Sequence, residues 1–105
     1  VRWRARDVLE TFGESAVTPL IAGLQAESVA VRELAASLLG DIGAAVAVDP
    51  LIAALDSPDW EGRFAVVQAL GQLGDARARP TLQALTGDDD ARIAAMARRM
   101  LSLLA

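Results

Sequence analysis

A single phrase recurs at a fixed distance in this chain and limits what it can fold into. Leu38 to Gly43 reads LLGDIG, and Ala69 to Gly74 reads ALGQLG. Anchored on the second glycine of the phrase, Gly13, Gly43 and Gly74 stand thirty and thirty-one residues apart. Pro19, Pro50 and Pro80 follow at thirty-one and thirty, and Arg2, Arg32 and Arg63 precede at thirty and thirty-one. Apolar columns run between these markers: Leu9, Leu39 and Leu70; Phe12, Ile42 and Leu73; Ile21, Ile52 and Leu82; Leu24, Leu55 and Leu85. A period in the range of roughly 20–50 residues marks stacked repeats, in which one unit is made several times because none buries its apolar face alone.

Each unit reads as two helices. In the second unit the first helix is predicted over Val29 to Ile42, with Val31, Leu34, Ala35, Leu38, Leu39 and Ile42 as its apolar stripe. Gly43 follows the last apolar residue, where a left-handed C-cap favours Gly, and Gly13 and Gly74 hold the same place. The repeated phrase is therefore a repeated helix ending. Gly40 and Gly71 lie inside the last turn, at a cost of about 1 kcal/mol of helix propensity each, which a close helix–helix contact would offset. The second helix of each unit carries its Pro in or near the first turn, where a missing N–H is tolerated. In the first unit its buried face is Val17, Leu20, Ile21 and Leu24. Ser28, Asp59 and Asp88 are the expected N-caps of the following long helices. The units are 1–27, 28–57 and 58–87, with a terminal helix over 88–105. The stripe of that helix is Ile93, Met96, Ala97, Met100, Leu101 and Leu104. Its register is open: Arg92 matches Arg63 at twenty-nine, while Met100 matches Leu70 at thirty.

The 105 residues are 53% hydrophobic, rich in Ala, Leu and Val and only 4% aromatic, which favours helix throughout and excludes disorder. Charges interrupt every apolar run well before the ~20 residues a membrane helix needs, and there is no secretory leader pattern. A cytoplasmic location is the resulting expectation, with no membrane partner. The chain contains no Cys and no His, so thiol chemistry and the commonest general base and metal ligand are missing. A net charge of −4 argues against a phosphate-backbone binder, and no nucleic-acid partner is expected. The chain begins at Val1 with its first helix already under way, as expected of a piece of a longer protein that continues into further repeats or domains.

These features resemble the HEAT repeats, in particular the short HEAT-like class of the phycobilisome bilin lyases. The resemblance rests on Val1-Arg2 and Val31-Arg32 early in the long helix, on Ala35-Ala36, on Leu39 to Gly43 and Leu70 to Gly74, and on the Pro-led, Leu-rich second helix. Gly62 in place of Val, and Glu10 in place of Gly, depart from it. The resemblance implies an all-α, right-handed solenoid of antiparallel helix pairs, about three and a half repeats long. It implies a scaffold for protein contacts, with a bilin-lyase-like or other enzyme as the alternative for the parent protein. It further implies that Arg2, Arg32 and Arg63 ladder between repeats rather than bind an anion. A HEAT-like hydroxylase with His and Glu metal ligands is excluded by the lack of His, and a HEAT-like DNA glycosylase is disfavoured by the acidic charge.

No catalytic, cofactor or metal residue is assigned. Gly40-Asp41-Ile42-Gly43 and Gly71-Gln72-Leu73-Gly74 match a Gly-x-x-Gly nucleic-acid clamp by letter, but that clamp needs a mixed α/β domain and basic neighbours. Asp88, Asp89 and Asp90 are read as a cap and helix-dipole complement rather than a cation site. The expected partner is a protein of unknown identity. On the face of the second helices opposite their apolar sides lie Thr18, Ala22 and Ala26, then Asp49, Ala53 and Ser57, then Arg79, Gln83 and Gly87. If this face is concave, as the resemblance implies, Thr18, Ala22, Asp49, Ala53, Arg79 and Gln83 are the candidate contact residues. Trp60 and Phe64 are the second candidates, open between inter-repeat packing and partner contact. Trp3, Glu33 and Phe64 share one column, which places Trp3 and Phe64 near water.

Overall fold

The computed structural model describes residues 16–104. Expectations for Arg2, Trp3, Leu9, Glu10, Phe12 and Gly13 lie outside these residues. Six helices follow in order: α1 (Val17–Gly23), α2 (Val29–Ile42), α3 (Val48–Ala53), α4 (Trp60–Leu73), α5 (Arg79–Leu85) and α6 (Ala91–Leu103). Among the described residues there is no strand. Long and short helices alternate. The long helices α2, α4 and α6 pack side by side, and each short helix packs on the long helix that follows it. This is the all-α solenoid expected from the repeat.

The long helices α2 and α4 start and stop where the sequence predicts, while α6 starts at Ala91, later than an Asp88 cap would place it. Ser28 caps α2, its side chain accepting from the Val31 N–H. Gly43 and Gly74 end α2 and α4 with φ of 75° and 68°, a left-handed conformation that costs Gly little. The Gly-x-x-Gly phrase is thus a helix terminus. The prolines take the third place in α1 and α3 and the second in α5. Short 3₁₀ turns at Ala45–Ala47 and Ala76–Ala78 lead into α3 and α5, and another closes α3 at Ala54–Asp56. The 3.6-residue pattern does not announce these tighter turns.

The core is one column of side chains shared by both layers. Leu39 and Leu70 are buried at equivalent places in α2 and α4, Met100 is buried in α6, and Val17, Val48 and Ala78 are buried where the short helices begin. Leu51, Leu82, Ile93 and Val67 are fully enclosed. The terminal helix takes neither open register: α2, α4 and α6 begin at Val29, Trp60 and Ala91, thirty-one residues apart, so Ala94 stands where α2 and α4 have Arg32 and Arg63.

Gly40 and Gly71 are the close contacts between long helices. A Cβ on Gly40 would lie 2.9 Å from the Ala69 Cα, and one on Gly71 would lie 2.6 Å from the Met100 Cβ. Side-chain-free backbone is what lets α2 meet α4, and α4 meet α6, at this spacing. It also corrects the stripe predicted for α2. Val31 is 45% and Leu34 59% exposed. The buried arc is Ala35, Ala36, Leu39 and Gly40, small residues that pack on the neighbouring helix. At 3.6 residues per turn, Leu34 lies about 170° round from its centre.

Candidate functional site

Between the repeats runs a ladder of Arg and Asp. Arg32, at the start of α2, donates to Asp59 at the start of α4 and to the Glu27 carbonyl at 3.0 Å. Arg63 in α4 donates to Asp88 ahead of α6. These are links from one unit to the next, as the resemblance implies. The ladder also moves one cap. Asp59 holds the cap position of α4 but turns its carboxylate to Arg32. Asp88, expected as the cap of α6, instead receives Arg63 and the Asp90 N–H at 2.9 Å. The cap of α6 is Asp90, whose side chain accepts from the Arg92 N–H at 2.9 Å. The spacing explains the misreading: Ser28, Asp59 and Asp90 are each thirty-one apart.

These contacts shift two carboxyls. Hydrogen bonding from the Arg92 side chain holds Asp90 at about 2, below its ordinary 3.8. The Asp90 N–H, with Arg63, lowers Asp88. A carboxyl whose pKa is lower folded than unfolded adds stability that is complete above the unfolded value and disappears as pH falls through the folded one. The melting temperature should therefore decline from about pH 4 towards pH 2, and Asp90→Asn should make that decline shallower in circular dichroism melts. An unchanged slope would mean that the cap does not titrate in this window.

A second set of links joins the turns before the short helices. Arg77 lies on Asp75, donates to the Ala45 carbonyl of the previous unit at 2.9 Å and comes within 4.0 Å of Asp49. Arg79 donates to the Leu104 carbonyl at 2.7 Å. Sequence reasoning missed the Arg77 link, although an Asp two residues before an Arg at a turn is a local signal for it.

The short-helix face meets its expected description in most places. Thr18 and Ala22 on α1, Asp49 and Ala53 on α3, and Arg79 and Gln83 on α5 are exposed. Gly87 is exposed as well, but Ala26 and Ser57 are half-buried. They lie beside the Arg ladder, where Ser57 Oγ accepts from the Asp59 N–H at 3.4 Å. The exposed strip is therefore narrower than expected and stops short of the inter-repeat loops. Its apolar reverse, Val17, Leu20, Ile21 and Leu24, packs into the core. The lining is small along α1 and α3, with Asp49 in the middle and Arg79 at the α5 end.

Trp60 and Phe64 sit elsewhere, on the long helix α4. Their rings meet edge to face with centroids 6.0 Å apart. Phe64 is half-buried and packs against the core, while Trp60 remains 36% exposed. The Arg92 guanidinium, from α6, lies 3.6 Å over the Trp60 ring. That is inter-repeat packing on one face of the indole, and Arg92 does not continue the ladder of Arg32 and Arg63. Together with Ala30, Glu33 and Leu34 of α2, these aromatics line an open groove of about 750 Å³. Leu34 and Arg92 complete this groove, and neither stood out as a site residue in the sequence.

Among the described residues no three His, Cys, Asp or Glu side chains gather as metal ligands. Asp88 and Asp90 are occupied by Arg63, Arg92 and backbone N–H groups. Among the same residues no helix is long and apolar enough to cross a membrane.

Alternating long and short helices, closed by left-handed glycines and tied by inter-repeat arginines, define a helical-repeat solenoid. The family model for HEAT repeats matches residues 16–102, and the chain belongs to that family. It is similar to a phycocyanobilin lyase subunit alpha from Picosynechococcus sp., with 43% identity over 79 residues, which cover 69% of this chain. The chain spans about 30% of the length of that relative.

Proposed function

We propose that this chain is a protein-binding module within a longer protein, and that it takes a helix or extended segment of its partner along the concave face of the short helices. The observation that carries this reading is the exposed strip of Ala22 and Ala53, flanked by Thr18, Asp49, Arg79 and Gln83. Small side chains across successive helices leave room for a backbone to approach closely, and the charged ends can fix its direction. The helix stack supplies the rigidity that limits the entropy lost on binding.

Ala22→Arg combined with Ala53→Arg tests it. Both residues are exposed, so stability should change by no more than about 0.5 kcal/mol each. Capture of the partner by the full-length protein should fall, because two long charged side chains then occupy the strip. An unfolded double variant would show that the strip is needed for packing. A folded variant with unchanged capture would place the partner on another face.

The similarity to a phycocyanobilin lyase subunit favours a second reading, in which the module is the repeat portion of a bilin-lyase-like enzyme. Phycocyanobilin added to the full-length protein should then show a protein-dependent change in its visible absorption. An unaltered spectrum would count against this reading and leave the protein-binding one in place.

A further inference from the structure

On the side of α2 and α4 turned away from the core, the groove of about 750 Å³ combines two kinds of surface. Its floor is apolar: Leu34 is 59% exposed, Trp60 36% exposed, and Phe64 stands edge-on beside Trp60. Its walls carry Glu33 on α2 and Glu61 on α4. Among the described residues neither carboxylate has an ion pair. Arg92 feels the charge of Glu61, but its guanidinium is held by Asp90 at 2.9 Å and by the Trp60 ring.

We propose that this groove binds a basic amphipathic segment of a partner protein. The segment lays a large aliphatic side chain on Leu34, Trp60 and Phe64 and directs Lys or Arg side chains to Glu33 and Glu61. Charge complementarity selects this occupant. Two lining carboxylates, with the lining cation Arg92 already held by Asp90, repel an acidic segment and attract a cationic one, and the chain as a whole carries −4. The apolar floor adds area to bury, which a purely charged ligand would leave in water. Arg92 shows the same recognition within the molecule: a guanidinium stacked on Trp60 and steadied by a carboxylate. This surface is separate from the short-helix strip, so the two proposals stand or fall independently.

The probe is a dye-labelled helical peptide built from Leu and Lys, compared with its Leu and Glu counterpart of equal length. Binding to the full-length protein is read by fluorescence anisotropy. The Leu/Lys peptide should bind, and the Leu/Glu peptide should not. Glu33→Lys with Glu61→Lys should weaken the Leu/Lys peptide by about tenfold or more, as attraction becomes repulsion at two sites. It should also admit the Leu/Glu peptide. Glu33→Gln with Glu61→Gln, closer in shape, should give a smaller loss in the same direction. Leu34→Ser should weaken the Leu/Lys peptide with both carboxylates intact. The control is Asp41→Lys with Asp56→Lys, the same change of charge outside the groove, which should leave the affinity nearly unaltered. Equal losses in the groove and control variants would reduce the effect to net charge and overturn the proposal. So would equal affinity of the wild-type protein for both peptides, or no binding of the Leu/Lys peptide.

Discussion

Leu39→Ala and Leu70→Ala are each expected to destabilise the protein by about 2–5 kcal/mol. Both side chains are fully buried at equivalent places in α2 and α4. Truncation removes the transfer free energy of the lost methyl groups and leaves a cavity that the neighbouring helices fill only in part. Total stabilities of small domains are about 5–15 kcal/mol, so one such change consumes a large fraction of the whole. Because each unit contacts only its neighbours, the loss at Leu70, between α2 and α6, should spread in both directions along the stack. Urea unfolding followed by circular dichroism gives the number. Losses below about 1 kcal/mol at both sites would mean that these side chains are not the centre of the core.

The helical glycines should respond to Ala with opposite signs. At Gly40 the new methyl would sit 2.9 Å from the Ala69 Cα, a backbone atom that cannot rotate away. At Gly71 it would meet the Met100 Cβ at 2.6 Å. Overpacking typically costs about 1–3 kcal/mol, more than the ~1 kcal/mol of helix propensity that Ala gains over Gly. Both variants should therefore lose stability on balance, because Ala69 Cα and Met100 Cβ are fixed by the backbone and α4 or α6 itself must move. Gly62 lies in the first turn of α4, and a methyl there would find Ser57 Oγ at 3.5 Å and Arg32 Nε at 3.9 Å, ordinary contacts. Gly62→Ala should stabilise by about 0.5–1 kcal/mol. Thermal melts of the three variants would show two decreases and one increase. An increase for Gly40→Ala would mean that the long helices are not in the close contact described.

Much of this architecture was legible because a repeat tests itself. The coincidence of Gly, Pro, Arg and Leu columns located the α2 boundaries and the left-handed caps, and the family resemblance implied the inter-repeat role of Arg32 and Arg63. The same columns located the small exposed residues of the short helices. What was misread came from small residues and from the last unit. Ala36 looks like a gap in an apolar stripe, yet it joins Gly40, where a close contact was expected, in the tight face of α2, and Leu34 completes the periodic pattern while pointing to water. Asp88, Asp89 and Asp90 offer three caps in a row, and the thirty-one-residue step shared with Ser28 and Asp59 is what singles out Asp90. The groove was half visible, since Trp60 and Phe64 were evident but Leu34, Glu33 and Arg92 reach it from two other helices. Nothing in local sequence pairs residues across helices, so an Arg92 on Trp60 has no signature in either segment.

The central claim, that the short helices present a protein-binding face, is tested most directly by site-specific photocrosslinking in the full-length protein. A photoreactive side chain is placed at Ala22, at Ala53 and, for comparison, at Asp41, an exposed residue near the end of α2. The Ala22 and Ala53 positions should capture the same protein, identified by mass spectrometry, and Asp41 should not capture it. The Ala53 crosslink should also disappear when Ala22 is changed to Arg. Capture of that protein from Asp41 alone, or an Ala53 crosslink indifferent to Ala22→Arg, would contradict the account.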